Sequence, residues 1–134
     1  MHRYDTIDGC IASLKNKGYR IIATTPHQDA QKLDDFDVTQ KAAFFFGKES
    51  TGLSDKVFEK ADGFLKIPMY GFTESLNISV SAAIILQHVV QKLKNTSVAW
   101  QLSKEEQLQI RLDWMKKSIK TVDSILSRYK DGQL

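Results

Sequence analysis

Ala42-Ala43-Phe44-Phe45-Phe46-Gly47-Lys48-Glu49-Ser50-Thr51-Gly52-Leu53-Ser54 decides the class of fold. Its first five residues are apolar without interruption, and the run stops at Gly47. Strands that bury one face alternate apolar and polar residues, whereas a parallel strand covered on both faces stays apolar throughout. The run therefore predicts a strand covered on both faces, leading into a loop of small and polar residues. Ser54 then suits the N-cap of a short helix over residues 54–61.

The same alternation continues in both directions. Upstream, Ile7, Cys10, Ile11 and Leu14 recur at three- and four-residue spacing, which predicts an amphipathic helix over residues 6–17 ended by Gly18. Tyr19-Arg20-Ile21-Ile22-Ala23-Thr24-Thr25 is β-rich and is stopped by Pro26. Residues 27–41 are polar, with Asp34, Asp35 and Asp37, and read as a loop or short helix. Downstream, Phe64-Leu65-Lys66-Ile67 is a third strand, stopped by Pro68. Residues 77–93 form a long apolar helix, and a break follows at Asn95-Thr96-Ser97. Ser103, with Glu106 three residues on, has the spacing of a capping box for a last helix reaching about Tyr129. Leu108, Leu112, Met115, Ile119, Val122 and Leu126 draw one apolar stripe along it. Helices alternating with buried strands predict an α/β protein, a parallel sheet flanked by helices. Three strands make a narrow sheet and the chain opens directly on a helix, so an N-terminally incomplete fold is expected. The expected division is an α/β domain over residues 1–94 and a helical extension over 95–134.

Composition narrows the function classes. The chain has 134 residues, 42% of them hydrophobic, enough for one packed domain and too apolar for a disordered chain. Net charge is +3, and residues 92–134 carry nine Lys and Arg against five Asp and Glu, leaving residues 1–91 at −1. A basic tail suits a polyanion, and it equally suits a solvated helix face. One cysteine, Cys10, excludes an internal disulfide, and His2, His27 and His88 are too scattered to suggest a metal cluster. The longest apolar stretch, around Ile84 to Val90, is interrupted by Gln87 and His88 and cannot span a bilayer, and residues 1–5 lack the apolar run of a signal peptide. A soluble cytoplasmic protein is the expectation.

Ligands of parallel sheets bind at the carboxyl ends of the strands. Three loops stand there: residues 24–27, residues 47–54, and Pro68-Met69-Tyr70-Gly71-Phe72-Thr73-Glu74-Ser75-Leu76-Asn77. Gly47 and Gly52 allow backbone to approach a ligand closely. Lys followed by Ser or Thr does not come after the second glycine, so a phosphate loop is excluded. Ser75 or Asn77 also suits the cap of the following helix, and Glu49 also suits a solvated loop charge. Phe44, Phe45 and Phe46 read as core, and His27 reads as structural.

Two of these segments carry a family resemblance. Residues 46–54 resemble the second signature motif of SPOUT methyltransferases of the SpoU type. The seventeen residues from Ile67 to Ala83 resemble the third, in the same order and separation. Ala23-Thr24-Thr25-Pro26-His27 and the basic C-terminal helix are similar to the enzymes that methylate the ribose of guanosine 18 in tRNA. The resemblance covers nearly the whole chain. It implies a trefoil-knot α/β fold, a homodimer, and S-adenosylmethionine bent among the three loops, with no metal. It implies that the backbone of Thr24, Gly47, Ile67 and Leu76 holds the cofactor. Apolar Ile67, Met69 and Leu76 are suited to enclose its adenine. Glu49, Ser75 and Asn77 are implied as the polar positions of the catalytic site, and Lys116, Lys117 and Lys120 as contacts to tRNA.

The family's first motif, with its asparagine and its arginine for the ribose hydroxyl, has no counterpart here. Arg3 and Arg20 are the only arginines in the first hundred residues, and neither lies in such a motif. The chain is therefore expected to supply the cofactor-binding half of a methyltransferase. The alternative is a non-catalytic module that binds S-adenosylmethionine or dimerises.

Overall fold

The computed structural model describes residues 2–26, 29–48, 50–73 and 75–132. The chain divides into two compact units, Met1–Val98 and Ala99–Leu134. In the first, α1 (Ile7–Asn16) leads to β1 (Arg20–Thr24), β2 (Gln31–Lys32) and a 3-10 turn (Leu33–Asp35). Then follow β3 (Ala42–Phe45), α2 (Asp55–Lys60), β4 (Gly63–Lys66) and α3 (Ile78–Lys94). The second unit holds α4 (Lys104–Ser118) and α5 (Val122–Lys130).

All strand pairs are parallel and the sheet order is β2-β4-β1-β3. Ile22 of β1 stands level with Phe44 of β3 on one side and Gly63 of β4 on the other. The last strand thus lies between two earlier ones. Side chains alternate across a strand. Ile22 joins Leu33, Phe36, Val38, Leu65 and Ile85 in a buried cluster on the α3 face. Ile21 and Ala23, also fully buried, turn to the face where α1 and α2 contact β1. Asp62, just before β4, fastens this arrangement. Its carboxylate accepts from the Ile21 N–H at 2.8 Å and from Lys15 Nζ at 2.8 Å. The Ile21 backbone bond, then Lys15, holds the Asp62 carboxyl below the ordinary carboxylate range.

The helix ends follow from local chemistry. Thr6 Oγ1 accepts from the Gly9 N–H at 3.1 Å at the start of α1, and Gly18, with φ at +78°, lets the chain turn away after it. Ser103 and Glu106 form the expected capping box, with both reciprocal bonds present.

Three expectations are corrected, and the N-cap expected at Ser54 is borne out in position. A fourth strand, Gln31–Lys32, lies in the segment read as loop or short helix, beside the 3-10 turn. Two exposed polar residues carry no period-two pattern, and β2 exists because β4 offers it a partner. The run at residues 42–46 is less buried than expected: the four residues of β3 are half-buried, and among the described strands β3 is at the edge, paired with β1. Ser54 holds the N-cap position of α2 without making a side-chain capping bond. The last helix is two helices, broken at Thr121, whose φ of 61° is left-handed. In the broken stripe, Leu108, Leu112, Met115 and Ile119 are exposed.

Candidate cofactor site

A cavity of about 540 Å³ opens where β1, β3 and β4 end. Its floor is apolar, formed by Leu65 and Ile85, which are 0% and 1% exposed. Phe46, Leu53, Ile67, Met69 and Leu76 extend this surface, and Thr24, Thr25, Ser75, Asn77 and Ser81 add hydroxyls and an amide. The volume lies within the ~300–1,000 Å³ usual for small-molecule sites.

Each wall has a local cause. Thr24 Oγ1 donates to the Phe45 carbonyl at 2.8 Å, tying the ends of β1 and β3 together. Its side chain is thereby engaged. The Thr25 N–H donates to the Leu65 carbonyl at 2.9 Å and ties β1 to β4. Lys48 and Gly52 exchange two backbone hydrogen bonds of 2.9 and 2.8 Å, closing a tight loop over residues 48–52. Gly52 lies in the left-handed region, at φ +67°. Gly47 sits directly under it: a Cβ there would meet the Gly52 carbonyl carbon at 2.1 Å. Glycine is required at 47 by a close backbone approach within the loop itself.

Asn77 is the N-cap of α3, its Oδ1 accepting from the Ser79 N–H at 2.8 Å. It caps the helix and also lines the cavity, so the two sequence readings of this residue hold together.

The cavity brings together Thr24, Gly47, Ile67, Met69, Ser75, Leu76 and Asn77. Glu49 and His27 lie outside the described residues. Lys116 and Lys117 are exposed on α4 and Lys120 is exposed between the last two helices, all in the second unit. Sequence reasoning missed Lys48, Leu53, Ile78, Ser81 and Ile85 of the lining. Ile78, Ser81 and Ile85 are spaced by three and four residues, so the face of α3 that closes the cavity was legible as a helical stripe. Among the described residues no group of His, Cys, Asp and Glu is placed to hold a metal. Among them, too, no helix is long and apolar enough to cross a membrane.

These segments also carry the likeness to known proteins. The SpoU rRNA Methylase family matches residues 1–87. The tRNA (guanosine(18)-2'-O)-methyltransferase of Borreliella burgdorferi is 37% identical over 125 residues, 93% of this chain and 57% of that protein. The enzyme of the same name from Thermus thermophilus is 44% identical over 73 residues, 54% of this chain and 38% of that protein. The chain spans about half the length of the curated relatives it matches. Among solved structures, the A. aeolicus TrmH/SpoU tRNA modifying enzyme superposes with a TM-score of 0.73 at 31% identity, covering 87% of this chain and 61% of that one. The SpoU methyltransferase AviRb from Streptomyces viridochromogenes, solved in complex with AdoMet, gives 0.58 at 28% identity, covering 67% of this chain and 36% of that one. With the parallel sheet, the loops at its carboxyl edge and this match over most of its length, the chain belongs to the SpoU rRNA methylase family.

Proposed function

We propose that the first unit binds S-adenosylmethionine in the cavity at the carboxyl edge of the sheet. The protein it serves would then transfer the methyl group to a ribose 2'-hydroxyl of tRNA, guanosine 18 being the favoured nucleotide. The observation that carries this reading is the cavity itself, an apolar floor under three polar loops, built from the segments that match the family. The cofactor supplies an electrophilic methyl on a sulfonium. Ile67, Met69 and Leu76 would enclose the adenine, and the backbone of Thr24, Gly47, Ile67 and Leu76 would hydrogen-bond to the cofactor. Ser75 and Asn77 line the cavity and would meet the approaching nucleotide. Glu49, outside the described residues, would act with them. The chain's contribution to rate is then positioning: two reactants held in line, with water kept out.

The transferred methyl leaves sulfur for the ribose oxygen, whose proton must pass to a base. Among the described residues the lining contains no arginine and no histidine, and Lys48 is its only cation. That observation favours a second reading in which this chain binds the cofactor and transfers nothing unaided. Calorimetric titration with S-adenosylmethionine, followed by methyl transfer to unmodified tRNA, separates the two. Binding with transfer supports the first reading, and binding without transfer the second. No binding by the folded chain sinks both.

Homodimer formation belongs to the same proposal. Ile78, Val80, Ile84 and Leu86 of α3 are exposed apolar residues beside the site, suited to a second copy. The place of action proposed is the cytoplasm. Lys116, Lys117 and Lys120 would hold tRNA through its phosphates. Replacing all three by Glu is expected to weaken tRNA binding and to reduce the slope of log affinity against log salt by about three. A filter-binding salt series checks this, and an unchanged slope removes the tail from the RNA contact.

A further inference from the structure

The loop between β4 and α3 presents two aromatic rings that the described residues leave exposed. Phe72 is 106% exposed and Tyr70 is 89% exposed, whereas Phe44 and Phe46 are half-buried against the core. Scattered single apolar residues are ordinary on a surface, but two large rings within three residues of one loop are a concentrated feature. Gly71 separates them in the left-handed region, at φ +90°. The same loop continues into Ser75, Leu76 and Asn77, and begins at Met69, all of which line the cofactor cavity. Whatever covers Tyr70 and Phe72 is therefore held on a loop that walls the site. Lys48, exposed and cationic, also lines that cavity.

We propose that Phe72, assisted by Tyr70, is a stacking platform for an unpaired base of the RNA substrate, with Lys48 available to a phosphate of the same strand. Every base has a π-face, so a ring beside a cation grips a single-stranded nucleotide whatever its identity. Single-stranded loops are where RNA bases are free to be splayed onto aromatic side chains. A second copy of the chain is the other occupant that two exposed rings invite. The nucleotide is favoured because the rings share a loop with residues of the cavity lining, to which the cation Lys48 also belongs, whereas the apolar face suited to a second copy lies on α3. The role assigned to Phe72 is binding: a base fixed there brings its ribose toward the cavity. This inference rests on the cofactor reading of the site.

The test uses the whole 134-residue chain. Phe72→Ala, Tyr70→Ala and Phe72→Trp are compared with the unaltered protein by fluorescence anisotropy on an unmodified tRNA transcript and on a fully paired RNA duplex. Cofactor binding is measured by calorimetry and mass by sedimentation velocity. Phe72 is fully exposed, so its removal leaves the core intact. Phe72→Ala is expected to weaken tRNA binding by about tenfold or more. Tyr70→Ala should weaken it less, Phe72→Trp should retain it, and binding to the duplex and to the cofactor should not change. Equal tRNA affinity for Phe72→Ala and the unaltered chain overturns the platform, as does cofactor binding by a chain that binds no RNA. A fall in mass for Phe72→Ala assigns the ring to contact between copies and also overturns it. Failure of the unaltered chain to bind S-adenosylmethionine is a distinct result, which removes the cofactor reading and the platform with it.

Discussion

Gly47→Ala is expected to lose most of the binding of S-adenosylmethionine and to lower the melting temperature of the chain. A Cβ at this position would stand 2.1 Å from the Gly52 carbonyl carbon, 2.3 Å from the Leu53 nitrogen and 2.6 Å from the Gly52 Cα. All three are backbone atoms, and none can rotate aside as the end of a long side chain would. The loop over residues 48–52 is closed by the reciprocal Lys48 and Gly52 bonds, so it must shift as a unit or break them. Overpacking of this kind costs about 1–3 kcal/mol. For a domain near one hundred residues that corresponds to a fall in melting temperature of roughly 5–20 °C. The functional loss is larger than the stability loss, because Gly52 and Leu53 are themselves wall residues of the cavity. Thermal unfolding with and without cofactor reads both effects: ligand-induced stabilisation should disappear in the variant. A variant that melts lower and still gains the full ligand shift would show that this loop is not part of the cofactor site.

The second large effect is expected at Ile85. This residue is 1% exposed and is the only buried residue of α3. It packs in the cluster with Ile22, Leu33, Phe36, Val38 and Leu65, so it joins the helix to the sheet. Ile85→Ala should destabilise the chain by about 2–5 kcal/mol, through lost transfer energy and the void left behind. Against the ~5–15 kcal/mol that holds a typical domain, this is a large share. The void would open into the cavity floor, so cofactor affinity should fall along with stability. Urea unfolding measures the first and calorimetry the second. A midpoint change worth less than about 1 kcal/mol would mean that the site relaxes around the smaller side chain. Ile85→Val, which removes one methyl, should cost ~0.5–1.5 kcal/mol and preserve binding.

Much of the site was legible from residue order. Three apolar runs, each halted by Gly or Pro, located the strand ends, and the loops after them supplied eleven residues that line the cavity. Asn77 illustrates how two readings of one residue converge. A cap and a wall residue need the same position, because α3 starts at the rim of the cavity. Other parts were hidden. Residues 27–41 read as polar because of their aspartates, yet Ala30, Leu33, Phe36 and Val38 there are buried. Their spacing fits neither a helix nor a strand, since the segment is held by β4 and the core beneath it. The apolar stripe of the last helix suggested burial along one face, but Leu108 and Met115 remain exposed and Thr121 breaks the helix. Periodicity reports which face is apolar and is silent on what covers it.

The sequence by itself determined the α/β class, the parallel sense of the sheet, the three loops at its carboxyl edge, and the family to which those loops belong. These depend on neighbours along the chain: unbroken apolar runs, caps, and turn residues at strand ends. Tertiary structure decided that β4 lies between β1 and β2, that β2 exists, and that β3 is an edge strand of this sheet. It also decided that Gly47 lies beneath Gly52, that Ile85 floors the cavity, and that Phe72 is left bare on a loop that walls it. Each of these is a relation between residues whose separation in sequence does not set their separation in space. Close packing, which lets two backbones meet at one glycine and leaves one ring uncovered, exists only once distant segments have been brought together.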